Sequence, residues 1–280
     1  MWQDSGMTPR IKADTASRIR AGTGGWTYAP WRSNFYPAGL VQRRELEYAS
    51  RHVTAIEING TFYGAQKPAS YTAWRAQTPD GFVFSLKAPR YATERKELAG
   101  AGATIKGFVF GGLAELGDRL GPINWQLPAT KRFERDDLAA FFDLLPRELN
   151  GAPLRHVIEV RDASFADPAY VALARSHKVA TVFTDSPDYP SFADATGDFV
   201  YARLRCCESA IPTGYAPEAL DAWARRAREW ASGGDPDDLP RVDAARPASG
   251  ERDVFVYFIN GAKERAPAAA MALIDRLQKA

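Results

Sequence analysis

The sequence predicts a single soluble (β/α)8 barrel of the TIM type, with parallel strands. Three observations carry this: eight short apolar runs each carry a polar residue at or next to their end, amphipathic segments separate them, and one more amphipathic segment follows the eighth run. The runs are residues 19–24, 54–59, 82–87, 122–127, 156–161, 179–185, 199–204 and 253–260. Such alternation builds a parallel sheet, and a helix after the last strand favours closure over an open doubly wound sheet. An open dinucleotide-binding sheet would also need a glycine-rich loop opening into a helix. Here Gly22, Gly24 and Gly25 run instead into Trp26 and Pro30.

The expected helices cover residues 43–52, 69–77, 112–120, 136–145, 168–177, 217–230 and 265–278, where apolar residues recur at spacings of three and four. Leu138, Phe141, Phe142 and Leu145 make one stripe, and Leu220, Trp223 and Trp230 another, each suited to packing on the outside of a sheet. After the sixth run, residues 186–197 read as loop. Residues 91–107, which mix charges with glycines, read either as a lid over the barrel mouth or as plain loop. Residues 1–18 are polar and are expected to be a flexible extension. Residues 233–252, rich in Gly, Pro, Asp and Ala, are expected to be a hydrophilic loop within the barrel domain of residues 19–280.

Composition bounds the function. With 280 residues, 45% of them hydrophobic and 25% charged, the chain has ample apolar material for a barrel core. The formal charge is +2 with the signs mixed, so no global field points to nucleic acid or a membrane as partner. No apolar run has the length of a membrane span, and the first eighteen residues lack the hydrophobic centre of a secretory signal, so a cytoplasmic location is expected. Cys206 and Cys207 are adjacent, which suits neither a disulfide framework nor the paired spacing of a zinc site. His52, His156 and His177 are scattered, and neither a metal nor a cofactor is expected.

In barrels, reactive groups gather where the C-terminal ends of the strands converge. Read in order, those ends deliver Trp26; Glu57, Asn59 and Tyr63; Lys87 and Arg90; Gln126; Glu159 and Arg161; Asp185; Tyr201, Arg203 and Arg205; and Tyr257 and Asn260. A charge in a strand buried on both faces is strongly unfavourable unless paired. Glu57, Lys87, Glu159, Arg161 and Arg203 are therefore expected to form one compensated network. Period-two spacing puts Glu57 with Asn59, Glu159 with Arg161, and Tyr201 with Arg203 on shared faces.

Two readings of this network stay open: the charges only neutralise one another and plug the barrel, or they build a site. In the second, Glu57 and Glu159 are the candidate acid and base, and unlike neighbours would separate their proton affinities. Lys87 is a candidate base or imine-forming amine if desolvated, although pairing with a glutamate is the plainer reading. Arg161, Arg203 and Arg205 offer planar forks to a carboxylate or phosphate. Asn59, Tyr63, Gln126 and Asn260 would supply polar ligand contacts, and Trp26 a stacking ring, with loop packing the plainer use of such aromatics. A thiol beside Arg205 would be acidified, yet no histidine is placed to serve Cys206 as base.

The residues also carry a resemblance. Gly22-Thr23-Gly24-Gly25-Trp26-Thr27-Tyr28 followed by Trp31 and Phe35-Tyr36-Pro37, then Glu57-Ile58-Asn59 with Thr61-Phe62-Tyr63, and Gly121-Pro122 with Trp125-Gln126-Leu127-Pro128, resemble the motifs of the YecE-like family, domain of unknown function 72. The resemblance runs from about Arg20 to the C-terminus; it implies a TIM-type barrel and supplies no reaction. The departures gather at the rim. Glu94 follows Thr93 and Asp162 follows Arg161 where the family commonly has histidine, Arg205-Cys206 replaces His-Gly, and Ile259 and Gly261 flank Asn260 in place of Asn and Asp. The deeper Glu57, Lys87, Gln126, Glu159, Arg161 and Arg203 are kept.

The leading functional expectation is an enzyme acting by acid and base chemistry on a small anionic or polyhydroxylated metabolite at the mouth. The second is a non-catalytic binder of an anionic ligand. A third, a nucleic-acid phosphodiesterase, is suggested by the arginines and aromatics but disfavoured by the shortage of histidines for zinc. The expected partner is thus a small anionic molecule, with no membrane and with nucleic acid disfavoured.

Overall fold

The computed structural model describes residues 18–245 and 250–279. Apart from Arg18, the extension expected over residues 1–18 lies outside the described residues. Strands β1 (Ile19–Gly24), β2 (Ala55–Ile58), β3 (Val83–Lys87), β4 (Leu120–Gln126), β5 (His156–Glu159), β6 (Ala180–Thr184), β7 (Phe199–Leu204) and β8 (Asp253–Phe258) pair in parallel, each with the next. Pairing of β8 with β1, Ile19 opposite Val254 and Thr23 opposite Phe258, closes the barrel. Every apolar run of the sequence is one of these strands. Each is a few residues long, buried on both faces and free of internal polar interruption except on the inward side, which is the pattern a parallel strand under helices requires.

Alternation along the strands sorts two cores. Inside the ring, Ala55, Val157, Ala180, Val182, Phe199, Tyr201, Phe255, Tyr257 and Ile259 pack together. Their neighbours one residue away, such as Ile56, Ile158, Val200, Ala202, Val254 and Val256, face the helical layer. Gly22 shows how closely β1 approaches β2, since a Cβ there would lie 1.7 Å from the carbonyl oxygen of Ala55.

The outer layer comprises α1 (Glu45–Ala49), α2 (Gly60–Tyr63), α3 (Pro68–Gln77), α4 (Arg90–Thr93), α5 (Gly102–Val109), α6 (Arg135–Asp143), α7 (Pro168–Ser176), α8 (Pro217–Ala231) and α9 (Ala266–Gln278). Proline pre-set for a first turn opens α3, α7 and α8, and Asp167 caps α7 by accepting from the amide of Ala169 at 2.7 Å. On α8, Leu220, Trp223, Ala224, Ala227 and Trp230 turn inward at helical spacing. Each large side chain so buried stabilises the fold by about 1.5–3 kcal/mol.

One helical expectation is corrected. Residues 112–120 form no α-helix: Gly112 and Gly117 take positive φ angles (131° and 53°), and residues Leu113–Arg119 coil as 3-10 turns. The longer α-helix of this connection is α5, which begins inside the 91–107 stretch that read as loop or lid. Glycines at both ends of α5 mask a clear apolar stripe of Ile105, Phe108 and Val109, which is buried on the barrel.

Residues 186–197 contain no helix or strand, as the sequence suggests. They are tied to the later segment: Pro240 accepts from the amide of Ala193 at 2.8 Å, and Asp194 accepts from the amides of Val242 and Asp243, each at 2.9 Å. Buried Asp235 pairs with Arg241 at 3.1 Å and with Arg252 at 3.4 Å. The described part of the 233–252 segment is thus anchored by buried charge. No helix among the described residues is long and apolar enough to cross a membrane.

Candidate functional site

Because Glu57, Glu159 and Arg203 each stand at or next to the end of a strand on its inward face, the barrel brings them together beneath the C-terminal mouth. Glu57 and Arg203 are almost wholly buried, and Glu159 nearly so. The Arg203 fork donates from Nη2 to Glu57 Oε1 at 2.9 Å and from Nη1 to Glu159 Oε2. Tyr201, two residues before Arg203 and on the same face, donates to Glu57 Oε2 at 2.7 Å. The Asn124 amide reaches both carboxylates at 3.4 Å. Arg161 closes the far side: Nε and Nη2 meet Glu159 Oε1 at 2.9 and 2.7 Å, and Nη2 also donates to Gln126 Oε1 at 2.8 Å. Burial alone would raise the Glu159 pKa, but the adjacent Arg203 and Arg161 overcome it and hold this carboxyl down at about 2.

Lys87 is placed differently from the pairing expected of it. It ends β3 and is 7% exposed, yet among the described residues no carboxylate lies within ion-pairing reach of its ammonium. Arg203 has taken both glutamates. The Lys87 Nζ rests over the Phe62 ring, 3.9 Å from its centre, and the Lys87 carbonyl accepts from Thr61 Oγ1 at 2.6 Å, fixing β3 against α2. Burial, reinforced by Arg203 and only partly offset by Glu57 and Glu159, pulls the Lys87 pKa down to about 8.

The rim is built from loops. Asp185 accepts from the Arg205 amide and from the Tyr215 hydroxyl, both at 2.6 Å, and so joins the ends of β6 and β7 to the following loop. With its amide oriented to satisfy both neighbours, Asn260 accepts from Arg205 Nη2 at 2.9 Å and donates to the Ile259 carbonyl at 3.0 Å. Tyr189 lies against two guanidiniums, 4.6 Å from Arg161 and 5.0 Å from Arg205.

Other expected site residues fall outside this cluster. The Trp26 ring packs edge-on against Trp74 (5.2 Å) and Phe84 (6.2 Å) in the outer layer, so it offers the cluster no stacking face. Asn59 donates only to the Glu57 carbonyl, at 3.4 Å, and Tyr63 is exposed at the end of α2. The Cys206 thiol is not acidified: burial and the neighbouring Asp185 push it up to about 11, against the weaker pull of Arg205.

The family model described as "Protein of unknown function DUF72" matches residues 20–280. The chain belongs to the DUF72 family. Among solved structures, it is similar to a DUF72 family protein of Thermotoga maritima (TM1631), at 18% identity and a TM-score of 0.69, covering 94% of this chain and 99% of that one. A DUF72 family protein of Enterococcus faecalis (EF0366) aligns at 15% identity and a TM-score of 0.60 over 91% of this chain and 95% of that one. SacUVDE aligns at 11% identity and a TM-score of 0.53, covering 92% and 97%. At such identities the likeness speaks for the fold alone. Against curated protein sequences the chain finds no match.

In this DUF72 protein, several site groups were not singled out from sequence. Asn124 sits two residues before Gln126, and the same parity that pairs Glu57 with Asn59 would have found it. Ser85, two residues before Lys87, bonds the Tyr257 hydroxyl at 2.6 Å one level deeper. Tyr189, in a loop without periodicity, left no signal. Among the described residues of the DUF72 barrel, no three His, Cys, Asp or Glu side chains gather so as to hold a metal ion. A cleft of about 260 Å³ opens at the opposite, N-terminal end of the strands, beside Arg155 and Asp253. Those two pair at 2.6 Å, and chemistry in barrels belongs to the other face, so the mouth is the stronger candidate.

Proposed function

We propose that this DUF72 protein is an enzyme that acts by proton transfer on a small anionic or polyhydroxylated metabolite at the C-terminal mouth of its barrel. The supporting observation is an imbalance of charge. Two carboxylates, Glu57 and Glu159, face two guanidiniums, Arg203 and Arg161, plus the Lys87 ammonium, leaving one positive charge over. Arg205 stands at the rim, where its side chain meets Asn260 and Tyr189 and, among the described residues, no carboxylate within ion-pairing distance. Either an incoming anion or loss of the Lys87 proton cancels the inner surplus. Anion binding therefore raises the proton affinity of Lys87, which couples the ligand to a proton at the place where a barrel enzyme reacts.

In this reading the proton carrier is Lys87, and Glu57 and Glu159 are fixed counter-charges. Glu159, whose pKa is held down at about 2 and which is therefore ionised at neutral pH, does not suit the acid role that its strand position suggests. The test is thermal shift of the protein against phosphorylated sugars, nucleotides and organic acids, repeated with Arg161→Ala and Lys87→Met, followed by turnover of any hit. Stabilisation by an anion that is lost in both variants supports the reading. An unresponsive panel, or a hit indifferent to both substitutions, would sink it.

A non-catalytic anion binder is the second reading, favoured by the full engagement of both glutamates in ion pairs. It differs in one outcome, tight binding without conversion.

A further inference from the structure

We infer that Lys87 is a nucleophilic amine that forms an imine with the carbonyl carbon of a small aldehyde or ketone carrying a carboxylate or phosphate. The inference rests on the anion site proposed above and names its substrate class.

The amine is held as a nucleophile must be. It ends a barrel strand at the mouth, its backbone is fixed by Thr61, and its nitrogen lies on the Phe62 face with no carboxylate to hold the proton. Both nearby glutamates are committed to Arg203. With its pKa drawn down to about 8, part of the population is neutral amine near neutral pH.

The anionic end of such a substrate also has a place. Arg161 uses Nε and Nη2 on Glu159 and Gln126, which leaves Nη1 for a ligand. Arg205 lies against the same Tyr189 ring, with Nη2 on Asn260 and, among the described residues, the rest of its fork unengaged. Lys87 pairs in register with Asn124, whose amide reaches Glu159, the partner of Arg161, so an anion on Arg161 places its own carbonyl at the same end of the barrel as the amine.

The step balances without an oxidant or reductant. The Nζ lone pair adds to the carbonyl carbon, the C=O π pair moves to oxygen, and an amine proton follows it to give the carbinolamine. The hydroxyl then leaves as water with the second amine proton as the C=N bond forms.

The experiment is borohydride reduction of the full chain with pyruvate, 2-oxoglutarate and glyceraldehyde 3-phosphate, with acetone as the neutral control, read by intact mass and peptide mapping. The expected result is one adduct on Lys87, heavier by the mass of an anionic probe less one oxygen atom, with little from acetone and a yield rising as pH passes about 8. Lys87→Arg, which keeps the charge, abolishes the adduct while the probe still stabilises the protein. Modification spread over exposed lysines with Lys87 untouched overturns the inference. So does Arg161-dependent thermal stabilisation by a probe with no adduct, which leaves the proton-transfer reading standing. Neither stabilisation nor adduct from any probe counts against both.

Discussion

Arg203 Nη2 lies 2.9 Å from Glu57 Oε1 while Nη1 of the same guanidinium meets Glu159, so one cation is the counter-ion of two buried carboxylates. Removing it leaves two like charges desolvated beside each other. Arg203→Met is expected to lower stability by about 3–5 kcal/mol, read from urea unfolding. Arg203→Lys restores charge without the fork and is expected to fall between the two.

Lys87 should behave in the opposite way. Its ammonium is buried without an ion-pair partner, so Lys87→Met removes a desolvated charge and loses only a contact with an aromatic face. Stability is expected to change by less than about 1 kcal/mol, in either direction, in the same urea titration. A loss as large as that of Arg203→Met would mean that Lys87 is a structural member of the network.

His156 supplies a prediction in pH. It accepts from Trp125 Nε1 at 3.0 Å and bonds the Pro146 carbonyl at 2.6 Å through its other nitrogen. Burial, opposed only by that carbonyl, lowers its pKa from 6.5 to about 4. Between these values the unfolded chain binds the proton and the folded chain does not. The associated stability is complete above about pH 6.5 and falls by about 3 kcal/mol as pH drops to about 4. In His156→Gln, stability at pH 7 is lower but its decline over this window is shallower, as denaturant titrations at a series of pH values would show.

Two glycines should respond with opposite signs. A Cβ on Gly22 meets the Ala55 carbonyl at 1.7 Å, backbone against backbone, so Gly22→Ala forces β1 and β2 apart and is expected to cost about 3 kcal/mol or more. Gly107 lies within α5 with nothing within 4 Å of a Cβ, and Gly107→Ala is expected to gain about 0.4–1 kcal/mol. Thermal melting of the two variants separates these effects.

What the sequence revealed follows from what leaves a periodic trace. Charges set inside apolar strands are conspicuous, and parity then fixed which of them share a face; Glu57, Glu159, Arg161, Arg203 and Lys87 were legible for that reason. Their pairing was not. A strand pattern says that Lys87 points inward, but only the closed ring shows that the Arg203 fork reaches both glutamates and leaves the lysine without either. Trp26 carried an equally strong local signal and went the other way, because the chain turns after Gly25 and hands the ring to Trp74 and Phe84. The acidified thiol failed on burial and on a neighbour distant in sequence, Asp185, whose backbone carbonyl accepts from the Cys206 thiol at 3.3 Å. Helix α5 was hidden by composition, its glycines outweighing a valid apolar stripe.

The Arg203 fork also bears on how the chain folds. Its two partners lie 146 and 44 residues earlier, so the fork joins β7 to β2 and β5 across about half of the sequence. An early intermediate comprising β1 to β4 would hold Glu57 without this guanidinium, and one extending to β6 would add Glu159 with Arg161 as its one guanidinium partner. Withdrawing those carboxylates from water before β7 docks is unfavourable, so the centre of the barrel stays hydrated until the last strands arrive. Ring closure and charge neutralisation are then expected to coincide, and a fragment that stops short of β7 is expected to keep a hydrated interior.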